Sequence, residues 1–255
     1  MNDFASATMV RILAAGMLRE GLRPPPLPQT GARVPLAFKR ELLQSAVTQG
    51  GLTVLPRLGR GLHDLPGSPV QQALAVSTSP SELVERWRRM ERYIHSRHRI
   101  DVESAQGTSE YGALALCHSS LQAQQPLAPE SLVVLGVIAA ACETIGAQNV
   151  QVHVGEIPLY PHTAPDALAR LVAQRKTGRW IMRWQGMALT PHSLFQGPVL
   201  PVTDRDEPTV RALRHLLLAD LVAPPALADA SVRLGRSSRS LQRHLAAQDT
   251  SYSDL

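Results

Sequence analysis

The 255 residues predict an α+β protein, with a mostly helical N-terminal domain carrying a small antiparallel sheet and an all-α helix-turn-helix segment after it. Three observations carry that class. Apolar residues recur with a helical period through most of the chain, and the period shortens to two between Ile100 and His118. Near the C-terminus a Gly closes one short amphipathic helix just before a Ser opens another. A hydrophobic content of 44% suffices for a packed core.

Taken in order, Phe4 to Leu22 reads as an amphipathic helix with Met9, Val10, Leu13 and Met17 on one face. It opens without positive charge and Arg11 interrupts it, so it is not expected to be a signal peptide. A proline-rich loop, Leu22 to Pro28, precedes a helix from about Pro35 to Gln49 that turns Leu36, Leu42, Leu43 and Ala46 inward. Gly50 and Gly51 end it. Leu52 to Ser68 is expected to be loop and short helix, with Gly59 and Gly61 as turn residues, and Val70 to Val76 another short helix. Ser79, Pro80 and Glu82 form the cap, first position and capping-box acid of a helix running to about Arg97.

Ile100, Val102 and Ser104 alternate with polar neighbours, and Tyr111 to His118 follows across a turn containing Gly107, which predicts a hairpin. Pro129 to Ala147 is apolar on nearly every side and predicts a buried helix. Val150 to Val154 and Trp180 to Trp184 are strands on either side of a helix from Asp166 to Arg175. Pro191 to Pro201 is expected to link residues 1–200, one domain, to residues 206–255, the beginning of a second. That second part starts with a helix from Thr209 to Leu221, packing through Val210, Leu213, Leu217 and Leu221.

The next stretch, Ser231 to Leu245, is the most informative. Leu227, Ala230, Ser231 and Leu234 make one face of a helix that Gly235 stops, and Ser237 caps a second helix whose apolar side is Leu241 and Leu245. Arg239, Gln242 and Arg243 then lie on its free side, with Arg236 in the turn. Arg forks onto guanine and Gln onto adenine in a major groove that admits one helix, and no acidic residue stands between Asp229 and Asp249.

The spacing L-G-x-S-x-R-x-L-Q-R-x-L, formed by Leu234, Gly235, Ser237, Arg239, Leu241, Gln242, Arg243 and Leu245, resembles the first helix-turn-helix of AraC/XylS-type transcription regulators. Asp249-Thr250-Ser251-Tyr252 resembles the turn that follows it in that family, although Asp249 replaces a Gly and Ser231 a close-packing Ala. Residues from Ala5 to about Leu200 resemble, more diffusely, the arabinose-binding-type effector domain of one branch of those regulators. The resemblance implies a ligand-responsive, DNA-binding transcription regulator that works as a cytoplasmic homodimer. It also implies that a second helix-turn-helix and its connecting helix are not among these 255 residues, so the alternative is a sensing and dimerising module that binds no DNA in this form. The DNA-binding candidates are Arg236, Ser237, Ser238, Arg239, Gln242 and Arg243.

For the effector, Arg86, Tyr93 and Arg97 fall along one edge of the stripe formed by Leu83, Trp87, Met90 and Ile94, where guanidinium groups can meet a carboxylate or a phosphate. Arg88, Arg92 and His95 point to solvent. His95 and His98 have a spacing that could share a metal, but no third ligand stands nearby, and no metal or cofactor is expected. No nucleophile-elbow, phosphate-loop or dinucleotide pattern occurs, so the chain is not expected to be an enzyme. Cys117 and Cys142 read as buried thiols. The excess of 26 basic over 21 acidic residues permits an anionic partner, and no apolar run approaches the ~20 residues that span a bilayer.

Overall fold

The structure, a computed structural model, describes residues 3–28, 33–65, 73–94, 98–108, 110–121, 125–188, 208–219, 225–248 and 251–252. The chain is α+β, and it divides into two compact units, Met1–Gln196 and Gly197–Leu255.

The N-terminal unit begins with a short strand, β1 (Phe4–Ser6), where the sequence pattern extends the helix back to Phe4. β1 pairs antiparallel with β2 (Arg33–Pro35), and the Ser6 hydroxyl accepts from the Met9 N–H at 3.0 Å to cap α1 (Ala7–Arg19). The apolar face of α1 is as expected but wider, since Ile12, Ala14 and Gly16 are buried beside Met9, Val10, Leu13 and Met17. α2 (Leu36–Gly50) buries Leu36, Leu42, Leu43 and Ala46, and a charged residue, Lys39, in the same stripe.

Leu52–Asp64 departs most from expectation. It is one continuous run of 3-10 turns with Val54, Leu55, Leu58 and Leu62 buried. Gly59 and Gly61 do not serve as turn residues there: they let backbone touch backbone. A Cβ on Gly59 would lie 2.1 Å from the Gly136 backbone, and one on Gly61 would lie 2.0 Å from the Ile12 carbonyl oxygen. Gly16 and Gly136 do the same from the other side, meeting the backbone of Leu58 and Pro56. The segment is thus gripped between α1 and α4 (Ala128–Thr144), backbone against backbone at these four glycines.

α4 is buried along nearly its whole length, as its composition demands. Its other side lies on a five-stranded antiparallel sheet ordered β3-β4-β7-β5-β6. The strands are β3 (His98–Gly107), β4 (Tyr111–Ser120), β5 (Gln151–Val154), β6 (Ile157–Tyr160) and β7 (Arg179–Gln185). Ser131 near the start of α4 meets His118 of β4 at 3.0 Å, and Cys142 near its end meets Met182 of β7 at 4.0 Å. The hairpin β3-β4 turns at Gly107, whose φ of 101° favours glycine, and carries a bulge between Val102 and Ser104. β6 is the strand of this sheet that the sequence reading lacks, since four residues carry too short an alternation to stand out.

α3 (Pro80–Ile94) and α5 (Pro165–Ala173) complete the unit. At the start of α3 the Glu82 N–H donates to Ser79 Oγ at 3.2 Å, while the Glu82 carboxylate returns to Thr78, not to Ser79. Leu83, Trp87 and Met90 are buried as expected, with Glu91 among them; the side chains of Arg92 and Ile94 and the whole of His95 lie outside what the structure describes. Within 70–76, residues 73–75 form a helical turn. The expected linker, 191–201, lies outside the described residues.

The C-terminal unit consists of α6 (Pro208–Ala219), α7 (Leu227–Arg233) and α8 (Ser238–Ala246). Val210, Leu213, Leu217, Ala230, Leu241 and Leu245 form its core, and Leu221 lies outside the described residues. Among the described residues no helix is long and apolar enough to cross a membrane.

Candidate functional site

The turn between α7 and α8 is built by its own hydrogen bonds. The Gly235 N–H donates to the Val232 carbonyl at 3.0 Å and the Arg236 N–H to the Ser231 carbonyl at 2.9 Å, the paired bonds of a Schellman C-cap. Gly235 has φ of 63°, the left-handed conformation that ending requires. Ser237 then starts α8, its hydroxyl accepting from the Ser240 N–H at 3.2 Å. Ser231 is buried at the helix crossing, and its hydroxyl donates to the Leu227 carbonyl at 2.6 Å, so Ser in place of Ala leaves no unsatisfied group there. The Tyr252 hydroxyl donates to the Pro225 carbonyl, tying the residues after α8 back to the start of α7.

Leu241 and Leu245 are buried, which fixes the other side of α8 outward. Arg239, Gln242 and Arg243 are all exposed on it, Ser237 and Arg236 are exposed at the turn, and Ser238 is half-buried. Arg236 is not isolated: its Nη1 lies 2.9 Å from Nε2 of His244, one turn further along α8 than Ser240. The face therefore offers three long donor-bearing side chains on a rigid helix, flanked by a guanidinium steered from the turn.

The expected effector residues are not brought into a common pocket by anything described. Arg86 is engaged by Glu82, whose Oε1 accepts from its Nε and Nη2 at 3.0 and 2.8 Å. That same carboxylate takes the Thr78 N–H and hydroxyl, and these bonds with the Arg86 charge hold Glu82 below the usual carboxylate range. The side chain of Tyr93 and all of Arg97 lie outside the described residues. Arg88, expected to face solvent alone, is exposed but also donates to the Ile100 carbonyl at 3.1 Å.

A different part of the N-terminal unit has the geometry of a binding site. A cleft of about 1200 Å³ opens between the end of β4, the start of α4 and the turn that joins α5 to β7. His118 and Ser131 form its buried polar floor, Leu127 and Val172 are part of its apolar wall, and Arg175, Lys176 and Arg179 stand at its mouth. Cys117 is a correction to the sequence reading: it follows Leu116 in an alternating strand, so it points to the outer face of the sheet, opposite His118, and is half-exposed at the rim of the cleft. Cys142 is buried, and burial drives its thiol far above the usual range.

Behind the cleft floor runs a row of buried polar groups. His118 packs edge-on against His98 at 5.1 Å, His98 Nε2 lies 3.8 Å from Glu130, and Glu130 accepts from Arg40 Nε at 2.9 Å and from the Leu127 N–H at 2.8 Å. Burial pushes Glu130 upward, but those two donors and the neighbouring positive groups more than offset it and hold the carboxyl low. Lys39, fully buried near Glu130, is pushed down to about 8 by desolvation. Perturbed groups of this kind gather where a protein binds or reacts. The signals were present in the sequence as Lys39 in the apolar register of α2 and Glu130 and Ser131 inside an apolar helix, but neither says which strand they meet. Among the described residues no group of three or more His, Cys, Asp or Glu is arranged to hold a metal ion.

Compared with protein-family models, with curated proteins and with solved structures, the chain matches none.

Proposed function

We propose that the chain is a ligand-responsive, DNA-binding transcription regulator of the AraC/XylS type, in which α8 enters the major groove and the N-terminal unit senses a small molecule. The observation that carries this reading is the division of α8. Leu241 and Leu245 are buried in a core shared with α6 and α7, while Arg239, Gln242 and Arg243 are free on the opposite side of a helix that begins with a tight, fully hydrogen-bonded turn. Six of the nine residues of α8 bear hydroxyl, amide, guanidinium or imidazole groups, more than its own fold requires. The positive local field draws phosphate, and Arg and Gln are the side chains that fork onto base edges.

The test is binding of the full chain to a randomised 30-base-pair duplex pool, followed by anisotropy titrations at several salt concentrations. Enrichment of a shared sequence, with affinity falling as salt rises and lost on replacing Arg239, Gln242 and Arg243 together by Ala, is the expected result. Affinity indifferent to that replacement would remove the reading. Dimerisation through the N-terminal unit belongs to the same proposal, and light scattering at micromolar concentration checks it.

A further inference from the structure

We infer that the cleft between β4, α4 and the α5–β7 turn binds a small organic anion, with its carboxylate or phosphate held by Arg175 and Lys176 and its apolar body against Leu127 and Val172. This rests on the sensor half of the reading above and moves its site away from Arg86. Three observations carry it. Neither Arg175 nor Lys176 has an acidic partner among the described residues, whereas Arg179 beside them is paired with Glu103 at 3.1 Å. Two cations with no acidic partner among the described residues thus share the mouth of a cleft whose floor is the His118–Ser131 pair and whose wall includes Leu127 and Val172. That mixture suits an amphipathic anion.

The third observation is where Arg175 stands. α5 ends with the Arg175 N–H on the Val172 carbonyl at 3.0 Å and the Lys176 N–H on the Leu171 carbonyl at 2.9 Å, the same paired bonds that end α7. At the end of α7 the left-handed position is filled by Gly235; here it is filled by Arg175, with φ of 55°. An Arg there opposes the backbone preference that a Gly would satisfy. A side chain kept at a conformational cost is explained by what it reaches, and this one reaches the cleft.

Cys117, half-exposed at the rim of the cleft on the outer face of β4, gives a readout beside the site, with buried Cys142 as internal reference. The full chain is treated with N-ethylmaleimide at constant ionic strength, with phenyl phosphate, phenylacetate or the neutral benzyl alcohol, and both cysteines are followed by peptide mass spectrometry. At twice its Kd a probe seated in the cleft leaves about a third of molecules open, so Cys117 modification should slow about threefold while benzyl alcohol has no such effect. Arg175→Gly with Lys176→Gln should abolish the protection. The single variant Arg175→Gly should weaken it while leaving the unliganded Tm equal to or above that of the parent, a combination a purely structural Arg would not give. No protection by either anion, protection by benzyl alcohol as strong, or protection unchanged in the double variant would each overturn the proposal. DNA binding without added probe is measured on the same samples: its absence would end the regulator reading, while protection of Cys117 would still establish the anion site.

Discussion

Two joints in this molecule are made in opposite ways. In the N-terminal unit, Leu52–Asp64 is clamped between α1 and α4 by Gly16, Gly59, Gly61 and Gly136, and main chain rests on main chain. In the C-terminal unit, α6, α7 and α8 meet through ordinary side chains, Val210, Leu213, Leu217, Ala230, Leu241 and Leu245. At its four glycines the first joint gives up side chains to gain proximity, so it has no room for an added methyl group. The second uses two Leu of α8 to hold the helix and leaves the rest of its surface available. A packed joint made of glycine is a place for stability, and a joint made of two leucines is a place for recognition.

The sharpest way to break that contrast is to add a methyl group to the first joint. A Cβ on Gly136 would come 1.8 Å from the Pro56 carbonyl oxygen, and the obstruction is backbone that cannot rotate aside. Gly136→Ala should cost about 3 kcal/mol or more, measured by urea unfolding, because overpacking against main chain forces α4 and the clamped segment apart. Gly155 is the control: with φ of 56° and nothing within 4 Å of where a Cβ would lie, its replacement by Ala meets only backbone strain, about 1 kcal/mol. Equal losses at the two positions would show that the clamp is looser than its distances imply.

At the second joint, Leu241→Ala removes a fully buried side chain from a core of six residues and should cost about 2 to 4 kcal/mol in that unit, with loss of the DNA binding proposed above. Arg243→Ala, on the opposite side of the same helix, should leave the melt unchanged within about 0.5 kcal/mol yet cost roughly 1 to 3 kcal/mol of discrimination at one base position. Anisotropy on single-base operator variants reads the second effect, and a thermal melt reads the first.

The contrast explains which parts of the fold were legible in the sequence. The turn at Gly235 and the faces of α8 could be read because capping chemistry and a 3.6-residue period act through side chains that a sequence displays. Gly59 and Gly61 look the same in sequence whether they turn a loop or admit another backbone, so the clamp was hidden. The cleft was hidden for another reason: Leu127, Ser131, His118, Arg175 and Lys176 come from three separated segments, brought together by the antiparallel pairing of β4 with β7 and the packing of α4 on β4. Glu82 plays a double part that a cap pattern does not display, since the same carboxylate that takes Thr78 also holds Arg86 at i, i+4.

Glu91 sharpens the comparison from inside the N-terminal unit, where a charge rather than a methyl group is the burden. It accepts from Trp87 Nε1 at 3.0 Å and from the Ile100 N–H at 2.8 and 3.0 Å, yet burial still pushes it up to about 8. A raised carboxyl pKa means the folded state holds a proton that the unfolded chain releases, so this group's contribution falls as pH rises from the ordinary carboxylate range to about 8. Glu91→Gln keeps an acceptor for Trp87 and Ile100 and removes the charge. Its advantage over the parent should grow between pH 5 and 8 by about 2 to 4 kcal/mol, read from denaturant midpoints across that range. A difference independent of pH would mean that Glu91 is stabilised as an anion by groups beyond those three bonds.

The smallest expected effect tests whether the outward face of α8 is one surface or two. Arg239, Gln242 and Arg243 project from the helix itself, while Arg236 projects from the turn and is held by His244 at 2.9 Å. If α8 enters the groove as proposed, a guanidinium steered from the turn beside it is placed for phosphate, which carries no sequence information. Arg236→Ala should therefore weaken binding to all duplexes alike and flatten the slope of log K against log salt by about one unit. His244→Ala should reproduce a fraction of that change, since it releases the same guanidinium without removing its charge. A loss confined to one base position would instead bring Arg236 into the base-reading set, and the turn would then read sequence as well as hold the helix.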